Sequence, residues 1–513
     1  MKKLLLLFSF SLLGLATKAQ LSFEKIYSIH TWTQGVDIIE SDSNQYICVG
    51  IDCLAQFDLQ QNETDRYTGI IFKLNSVGDT LKKVFIGLKD SVNYSSWGDF
   101  SYLRLQTIHY TLDNNLFVGA TFAPPNPISI YEAGVMLMKI DENLDTLWTK
   151  EIYSLGSQTI ILNCCPTRSG GFAITGKRTI SSPLSVYTFL IVVDSLGNTL
   201  LDRNYPPNSP FFRIESQGIV EISDGGYFIT GTQDDLNDNS QPYCIRIDSL
   251  GNELWRILLP YTTSYNGAYN IVKTNDGNYV FSWYTQSRIG TYLMWTMHIS
   301  KIDEGGSFIW TKDYFPTYDI ANFLKEMPNG NLAMYGWYTD TLGLGRQGML
   351  VICDSSGQLL SVKKYQSNSL WNLMAGNFTS DGEMIFCGDT YCCNNSSPLG
   401  TTSSLWIFKT DSLGYITATG ELAEELKRGI KWIDPYPNPS TGIFNMDVEL
   451  SEKLDVFTMD VYDIYSRKIE SIKLNKGKNV FQLDLSAEKN GQYLVVVAAK
   501  DFKMQVKKVI VNR

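Results

Sequence analysis

Histidine is scarce in this chain of 513 residues, which contains only His30, His109 and His298. Metal sites and acid–base pairs built on imidazole need several histidines that converge, so both are disfavoured. The HExxH, GxSxG and GxxxxGK[ST] motifs are absent as well. The sequence therefore predicts no catalytic residue, no cofactor and no metal site.

One short segment resembles half of a calcium-binding loop. Asp235, Asn237 and Asn239 stand at alternate positions, as the oxygen ligands of an EF-hand do. The twelfth position of that loop normally holds Glu, but Arg246 stands there. We therefore expect a polar connection between strands rather than a calcium site.

Two groups of cysteines have similar spacing among the nine in the chain. Cys48 and Cys53 form one group, and Cys387 with Cys392 or Cys393 forms the other. Each group flanks the expected exit from a strand, where a loop would bring the thiols together. Disulfides within these groups and small buried apolar side chains are both consistent with the spacing. The odd count leaves at least one thiol unpaired, and no CxxC pair suggests zinc.

Aspartates recur at fixed places, which indicates turn residues rather than catalytic carboxylates. They belong to a unit of two tight turns and four short strands that occurs seven times. The first turn is expected to be a two-residue hairpin loop with positive φ at Gly or Asn. These positions are Asn44, Asn114, Gly170, Gly225, Gly277, Gly330 and Gly382. The second turn has glycine at the corresponding place except at Leu144, where a different turn is expected.

The repeat length predicts the fold. Successive second turns begin 66, 53, 54, 55, 51 and 57 residues apart. A period near 50 with four strands is typical of a β-propeller blade. We predict an all-β protein in which a seven-bladed β-propeller over 20–420 precedes a small immunoglobulin-like β-sandwich. An irregular sandwich with coincidental turns is the alternative. The repeated Trp148, Trp255 and Trp310 are expected to pack between blades.

The N-terminal region predicts both export and ring closure. Lys2 and Lys3 precede an apolar run and a small-residue cleavage site, so residues 1–19 are predicted to be a secretory signal. The following segment, Leu21–Tyr27, resembles the fourth strand of other units. It is expected to pair near Leu405–Thr410 and to bury Leu21, Phe23 and Ile26, or an alternating trio close to them. This pairing would close the ring and cover two sheet edges.

A separate module follows a linker. Residues 421–433 are predicted to be the linker, with a short helix over 421–428 that ends at Gly429. Residues 434–513 contain six alternating apolar segments, which indicate a small sandwich. No later stretch is long and apolar enough for a transmembrane helix.

The C-terminal module resembles the C-terminal (type A) sorting domain of type IX secretion substrates. The similarity covers about 80 residues and lies in motifs that occur in the family's order, although Ser466 stands where the family usually has Gly. The matching residues are Pro437, Asn438, Pro439, Gly442, Phe444, Asp463, Gly491, Tyr493, Lys507 and Lys508. The resemblance implies export through the periplasm, recognition by the secretion machinery, removal by a sortase-like protease and attachment at the cell surface. The repeats resemble propeller repeats common in such secreted proteins.

Charge limits the partners of the propeller. Residues 20–433 hold 28 basic and 42 acidic residues, a net charge of −14. An acidic domain is a poor partner for nucleic acid. We weigh three functions: a surface protein that binds a glycan or protein, a glycan-active hydrolase or lyase, and a structural or adhesive component. Connections 51–68, 121–135 and 389–404 are candidate ligand loops. The candidate contact aromatics are Trp97, Trp283, Trp295, Trp337 and Trp371.

Overall fold

The computed structural model describes residues 22–29, 32–41, 44–57, 63–86, 103–123, 132–181, 184–209, 211–237, 239–260, 265–289, 292–317, 319–339, 346–365, 370–392, 402–412, 414–416, 430–432, 435–450, 457–463, 468–475, 477–499 and 502–513. The regular secondary structure of these residues is β-strand, and within them no helix has the length and apolarity of a membrane span. The predicted signal peptide and the predicted linker helix lie outside them.

Groups of four antiparallel strands follow one another over the first four-fifths of the chain, and we number each group as a sheet in chain order, although the parallel pair Trp32–Ser403 joins the first and last groups into one eight-stranded sheet. Sheet one holds β2 (Trp32–Ser41), β3 (Gln45–Phe57), β4 (Glu63–Leu74) and β5 (Thr80–Ile86). Sheet two holds β6 (Leu103–Tyr110), β7 (Leu116–Phe122), β8 (Gly134–Ile140) and β9 (Thr146–Ile152). Sheet three holds β10 (Ser157–Pro166), β11 (Phe172–Ser181), β12 (Leu184–Val193) and β13 (Thr199–Tyr205). Sheet four holds β14 (Arg213–Glu221), β15 (Tyr227–Asp234), β16 (Ser240–Ile247) and β17 (Glu253–Leu258).

The remaining sheets of this region follow the same order. Sheet five holds β18 (Asn266–Lys273), β19 (Tyr279–Ile289), β20 (Tyr292–Ile302) and β21 (Phe308–Thr317). Sheet six holds β22 (Asp319–Glu326), β23 (Leu332–Thr339), β24 (Arg346–Cys353) and β25 (Leu359–Tyr365). Sheet seven holds β26 (Leu370–Phe378), β27 (Met384–Cys392), β28 (Thr402–Thr410) and the N-terminal β1 (Phe23–Tyr27).

The pairing of β1 with the last sheet confirms the sequence prediction. β1 runs antiparallel to β28, from Phe23 opposite Lys409 to Tyr27 opposite Leu405. The expected set of buried residues is partly wrong, because side chains alternate along a strand. Phe23 is buried, whereas Ile26 is 49% exposed. Leu21 lies outside the described residues.

Apolar side chains of each sheet pack against both neighbouring sheets. A core cluster joins every consecutive pair of sheets, and a further cluster joins sheet seven to sheet one. That last cluster contains Phe23, Ile385 and Ile407 of sheet seven together with Ile38 and Phe72 of sheet one. β2 and β28 also share one parallel residue pair, Trp32 opposite Ser403. The arrangement is all-β and propeller-like.

The repeated turns are longer than predicted. In sheet four the amide of Gly225 donates to Ile222 O at 3.1 Å and the amide of Ile222 donates to Gly226 O at 2.9 Å. This pattern is a three-residue loop that closes with one residue at positive φ, rather than a two-residue hairpin. Leu144 has φ of 64° and makes the same pair of bonds, so the expectation of a different turn there is wrong.

Ion pairs hold four of the first turns. The turn aspartate pairs with a buried cation on the third strand of its own sheet, at N–O distances of 2.5–2.7 Å. These pairs are Asp113–Lys139, Asp224–Arg246, Asp276–Lys301 and Asp381–Lys409. Where the turn residue is Ser169 or Asn329 instead, the third strand carries Val192 or Ile352. The repeat aspartates are therefore structural, as the sequence indicates.

The innermost strands share a bulge and a set of cross-sheet hydrogen bonds. The bulges lie at Gly35/Asp37, Leu105/Thr107, Ile161/Asn163, Ser216/Gly218, Ala268/Ile271, Ile320/Phe323 and Leu373/Ala375. Groups beside the bulges form hydrogen bonds between neighbouring sheets. The donors and acceptors are Ile108 N and Asp37, Cys164 and Thr107, Asn163 and Gln217, Thr230 and Tyr269, Asn270 and Leu324, Lys325 and Asn377, and Asn377 and Ile38. These bonds link each sheet to its neighbour, including the seventh to the first.

The C-terminal module consists of two sheets around one core. One sheet holds β29 (Ile430–Trp432), β30 (Ile443–Leu450) and β33 (Gly477–Asp484). The other holds β31 (Phe457–Asp463), β32 (Lys468–Leu474), β34 (Gly491–Ala499) and β35 (Phe502–Val511). Buried residues of both sheets, such as Phe444 and Val495, form a single cluster.

Two of the disulfide pairings that the cysteine spacing leaves open are not compatible with the strands. Cys48 and Cys53 both lie on β3, and Cys387 and Cys392 both lie on β27. The Cα atoms of residues five apart on one strand are separated by about 16 Å, well beyond the Cα distance of a disulfide. Cys393, the other candidate partner of Cys387, lies outside the described residues.

Candidate functional site

The first residues of the predicted sorting motif, around Asn438, lie against the end of the chain. The side-chain oxygen of Asn438 accepts a hydrogen bond from Ile510 N at 2.9 Å. Ser440 N donates to Ile510 O at 2.9 Å, and Asn512 N donates to Ser440 O at 2.8 Å. Segment 435–442 therefore forms one surface with the last residues of β35.

Arg513 stabilises this surface through several hydrogen bonds. It is not among the sorting residues predicted from the sequence. Its guanidinium donates to Thr441 O at 3.0 Å, Leu485 O at 3.2 Å and Glu488 O at 2.8 Å. Its backbone amide donates to the side chain of Asn490 at 3.2 Å. The only sequence signal for this role is a single cation directly after an apolar strand, which is too common to be specific.

The predicted sorting residues divide into exposed and buried groups. Pro437, Asn438 and Pro439 are exposed beside the chain end. Phe444 and Tyr493 are buried in the core of the module, and Tyr493 also donates to Lys489 O at 2.7 Å.

The five remaining predicted residues lie elsewhere in the module. Gly442 has φ of 128°, and an added Cβ would lie 2.7 Å from Ser486 Cα, so this turn requires glycine. Asp463 is buried at the end of β31, and Gly491 begins β34. Lys507 and Lys508 lie on β35, opposite Val495 and Leu494.

A cleft of about 170 Å³ lies between sheets four and five, at the sheet ends that face away from the repeated turns. We call it the tyrosine cleft. The start of β14, the end of β15 and the start of β18 form its walls. Its lining residues are Arg213, Glu215, Gln217, Thr232, Asp234, Ser240, Tyr265, Asn266, Gly267, Tyr269 and Tyr284.

Two stacked tyrosines dominate one wall of the tyrosine cleft. The ring centroids of Tyr269 and Tyr284 lie 5.4 Å apart with the planes at 22°. Burial raises the pKa of both phenols, and the neighbouring Tyr284 raises that of Tyr269 further. Both phenols therefore stay neutral near pH 7. Tyr265, at the rim, is 58% exposed.

Charged pairs form the opposite wall. Glu215 lies 3.5 Å from the ammonium of Lys177, and Asp234 lies 3.4 Å from the guanidinium of Arg213. Gln217 donates to Glu215 at 3.4 Å. At the base, Asn266 donates to Ser240 O at 2.8 Å and accepts from Gln286 N at 3.0 Å. The tyrosine cleft thus combines flat aromatic surface with carboxylate oxygens and amide donors.

The sequence does not reveal this cleft. Glu215 and Asp234 lie on different strands of one sheet, and the two tyrosines lie on neighbouring strands of the next sheet. Tyr269 reaches Tyr284 from a bulge that has no local motif. The candidate ligand loops add little to the description of this cleft. Strands β3 and β4 occupy much of 51–68, and residues 58–62, 124–131 and 393–401 lie outside the described ones.

Other predicted candidates have structural roles. Trp283 is buried, stacks on His298 at 4.0 Å and donates to Ser300 at 3.0 Å. Burial lowers the pKa of His298, although Asp313 lies 2.7 Å away and opposes that effect. Trp337 and Trp371 lie on strands, Trp295 is half-buried on β20, and Trp97 and His30 lie outside the described residues.

The candidate calcium segment is a hairpin turn. Asp235 accepts from Asn237 N at 2.8 Å and Asn239 N at 2.9 Å, and its other oxygen accepts from the Asn239 amide at 2.9 Å. Asp194 and Asp248 make the same bonds in the second turns of sheets three and four. Among the described residues, no cluster of three or more His, Cys, Asp or Glu side chains is arranged to hold a metal.

Comparison with solved structures gives distant matches. A protein of unknown function from Dyadobacter fermentans has 10% identity and a TM-score of 0.41, over 59% of this chain and 93% of that one. The β-propeller domain of the Trilobed protease from Pyrococcus furiosus has 10% identity and a TM-score of 0.39, over 76% and 98%. The BP39L lectin from Burkholderia pseudomallei has 7% identity and a TM-score of 0.43, over 76% and 98%. No curated protein matches the chain.

The family comparison concerns the C-terminal module alone. Residues 435–512 match the model of the secretion system C-terminal sorting domain. The match begins where segment 435–442 enters the module and ends one residue before Arg513, so it includes the surface described above. Residues 435–512 are therefore the C-terminal sorting domain of a type IX secretion substrate, and the protein is exported to the cell surface or the extracellular space.

Proposed function

We propose that this protein is a surface-displayed, seven-bladed β-propeller that binds a glycan in the tyrosine cleft. The observation that carries the proposal is the stacked pair Tyr269–Tyr284 beside the paired carboxylates Glu215 and Asp234. Sugar rings bind through aromatic faces and through hydroxyls that bond to carboxylate and amide groups. The cross-sheet hydrogen bonds, which link sheet seven to sheet one, support a closed ring as the scaffold.

The size of the cleft favours a ligand that inserts only one ring. Pockets that enclose whole small molecules usually measure roughly 300–1,000 Å³, whereas the tyrosine cleft measures about 170 Å³. A terminal sugar of a longer glycan fits this description, with the exposed Tyr265 placed to contact the next unit. A protein side chain is the competing occupant, and the binding test below separates the two.

The chemistry of the cleft favours binding over bond cleavage. A glycosidase needs a carboxyl group in surroundings that keep it protonated, whereas Glu215 and Asp234 each have a cation within 3.5 Å. A lyase that uses tyrosine as a base needs a phenol with a lowered pKa, and burial raises the pKa of Tyr269 and Tyr284. Hydrolase or lyase activity is the alternative function.

We also propose how the chain is divided and processed. Residues 1–19 are a signal peptide, 20–420 the propeller, 421–433 a linker whose Ile430–Trp432 pair with the first sheet of the module, and 434–513 the sorting domain, which is immunoglobulin-like. The secretion machinery recognises the exposed Pro437, Asn438 and Pro439 together with the chain end, and a sortase-like protease then removes the module. Phe444, Asp463, Gly442, Gly491 and Tyr493 maintain its fold, and Lys507 and Lys508 contribute positive charge.

A glycan array followed by calorimetric titration tests the ligand. We expect binding to a defined set of glycans and at least a tenfold weaker affinity after Tyr284→Ala, since stacking on an aromatic ring contributes roughly 1–3 kcal/mol. Tyr153→Ala is the matched control, because Tyr153 is an exposed tyrosine at the end of sheet two. Equal losses in both variants, or no bound glycan, contradict the assignment. Release of reducing ends from the bound glycan would favour the enzyme instead.

A further inference from the structure

We propose that Cys48 and Cys387 form a disulfide that joins the first sheet to the seventh in the exported protein. Cys48 lies on β3 and Cys387 on β27, and both side chains are buried in the core between these two sheets. Both are free thiols in this structure, and Cys48 lies near enough to raise the pKa of Cys387 beyond the larger effect of burial. The cross-link therefore connects residues 339 positions apart, at the place where the two ends of the ring meet.

Gly35 on β2 allows Cys387 of sheet seven to lie close to sheet one. β2 separates β3 from sheet seven, and Gly35 of β2 lies against Cys387. A Cβ on Gly35 would be 3.0 Å from Cys387 Cβ and 3.2 Å from its Sγ. Gly50, on the same face of β3 as Cys48, pairs with Gly35. Because Gly35 lacks a side chain, Cys387 packs directly against the backbone of β2.

The covalent step is a thiol–disulfide exchange. The oxidant is an external disulfide of the kind that acts outside the cytoplasm. The Cys387 thiolate attacks that disulfide and releases one external thiolate, and the Cys48 thiolate then displaces the second. One Sγ–Sγ bond forms within the protein, one external disulfide bond breaks, and the two protons are released with the two external thiols as products. Burial raises the pKa of Cys387 well above its usual value, so exchange requires the thiols before the sheets have fully docked.

Peptide mapping of the full-length exported protein, purified without reductant and alkylated in denaturant, tests the bond. Trypsin places Cys48 in peptide 26–66 and Cys387 in peptide 365–409. We expect these two peptides to be joined in the wild type and separate after reduction. Because peptide 26–66 also contains Cys53, and 365–409 also contains Cys392 and Cys393, variants must assign the bond. The joined species should disappear in Cys48→Ala and in Cys387→Ala and persist in Cys53→Ala.

Thermal unfolding provides an independent readout. The bond closes a very long loop, so reductant should lower the Tm of the wild type by roughly 5–10 °C. Cys48→Ala should be insensitive to reductant. Cys244→Ala is the matched control, because Cys244 is a buried thiol between sheets four and five, and this variant should keep the wild-type sensitivity. Separate peptides in the exported wild type overturn the proposal, even if added oxidised glutathione joins them later. Persistence of the joined species in Cys48→Ala overturns it as well.

Discussion

Replacing Phe23 with alanine tests how the N-terminal strand holds the last sheet to the first. Phe23 is 3% exposed and covers Gly78 in the second turn of sheet one, where an added Cβ would meet its ring at 2.6 Å. Trp148, Trp255 and Trp310 cover Gly197, Gly306 and Gly357 of the next sheet in the same way. Phe23 therefore makes, between sheets seven and one, the contact that tryptophan makes elsewhere.

The magnitude follows from the buried ring. Removing a fully buried phenylalanine side chain costs about 3–5 kcal/mol, which includes the lost transfer free energy and the cavity that remains. Ile26→Ala is the matched control on the same strand, because Ile26 is 49% exposed. Exposed substitutions change stability by about 0.5 kcal/mol or less. Phe23→Trp should retain most of the wild-type stability, since tryptophan occupies this place in three other sheets.

Urea unfolding followed by tryptophan fluorescence measures the free energy of unfolding of all three variants. We expect a large decrease for Phe23→Ala, a small one for Phe23→Trp and almost none for Ile26→Ala. Equal decreases for Phe23→Ala and Ile26→Ala would refute the reasoning, because they would mean that β1 contributes only backbone pairing. A deletion of residues 20–28 should cost more than Phe23→Ala and cause association, since it exposes the edge of β28.

Three further predictions concern the turns and the sorting domain. The Lys139 ammonium lowers the pKa of Asp113, so this pair stabilises the fold above about pH 4, and its contribution disappears as the pH falls through the lowered pKa. Asp113→Asn should therefore reduce the loss of stability in acid by less than about 1 kcal/mol, measured from urea midpoints between about pH 1.5 and pH 7. Arg513→Ala should reduce surface protein several-fold in fractionated cells, whereas Lys478→Ala, an exposed cation of the same module, should not. Deleting 434–513 should leave a folded propeller in the periplasm, and surface protein at normal levels would contradict the sorting role.

The structure changes how a truncation of the chain end is interpreted. Loss of the tail from Lys503 removes almost all of β35, whose Val509 and Val511 are buried in the core of the module. We expect such a protein to fail in export because its module unfolds, whether or not the tail itself carries a sorting signal. Arg513→Ala leaves β35 and its core contacts in place. It therefore tests the exposed surface without removing the sandwich beneath it.

The sequence predicts those parts of the fold that local patterns determine. Every first-turn position predicted to need positive φ has it, from Asn44 to Gly382. The pairing of β1 with β28 was also predictable, since the N-terminal segment repeats a strand pattern that the seventh unit lacks. The register of this pairing was not predictable. Phe23, rather than Ser22, takes the position that Trp148 has in sheet two, and a shift of one residue leaves the apolar pattern of the segment almost unchanged.

Contacts between strands distant in sequence were not predictable. Cys48 and Cys387 lie in one core cluster, and Gly35 leaves room for Cys387 against β2, whereas the cysteine spacing along the chain points only to partners within the same strand or its exit. The contact between Tyr269 and Tyr284 depends on a bulge in β18. A repeat pattern shows only the positions that the units share. A binding site requires residues that the units do not share, so the pattern does not indicate it.

The two ends of the sheets are under different constraints, which explains where a ligand site can develop. At the turn end, aspartates hold the loops, and Tyr205 and Tyr365 donate to Gly251 O and Gly414 O of the next sheet. A change there disturbs two sheets at once. At the opposite end, connections between strands vary in length and carry the tyrosine cleft. In the proposed function, substitution at that end alters the contacts available to a ligand and leaves the bonds at the turn end intact. On that proposal, ligand specificity can change at the cleft end while the turn end preserves the fold.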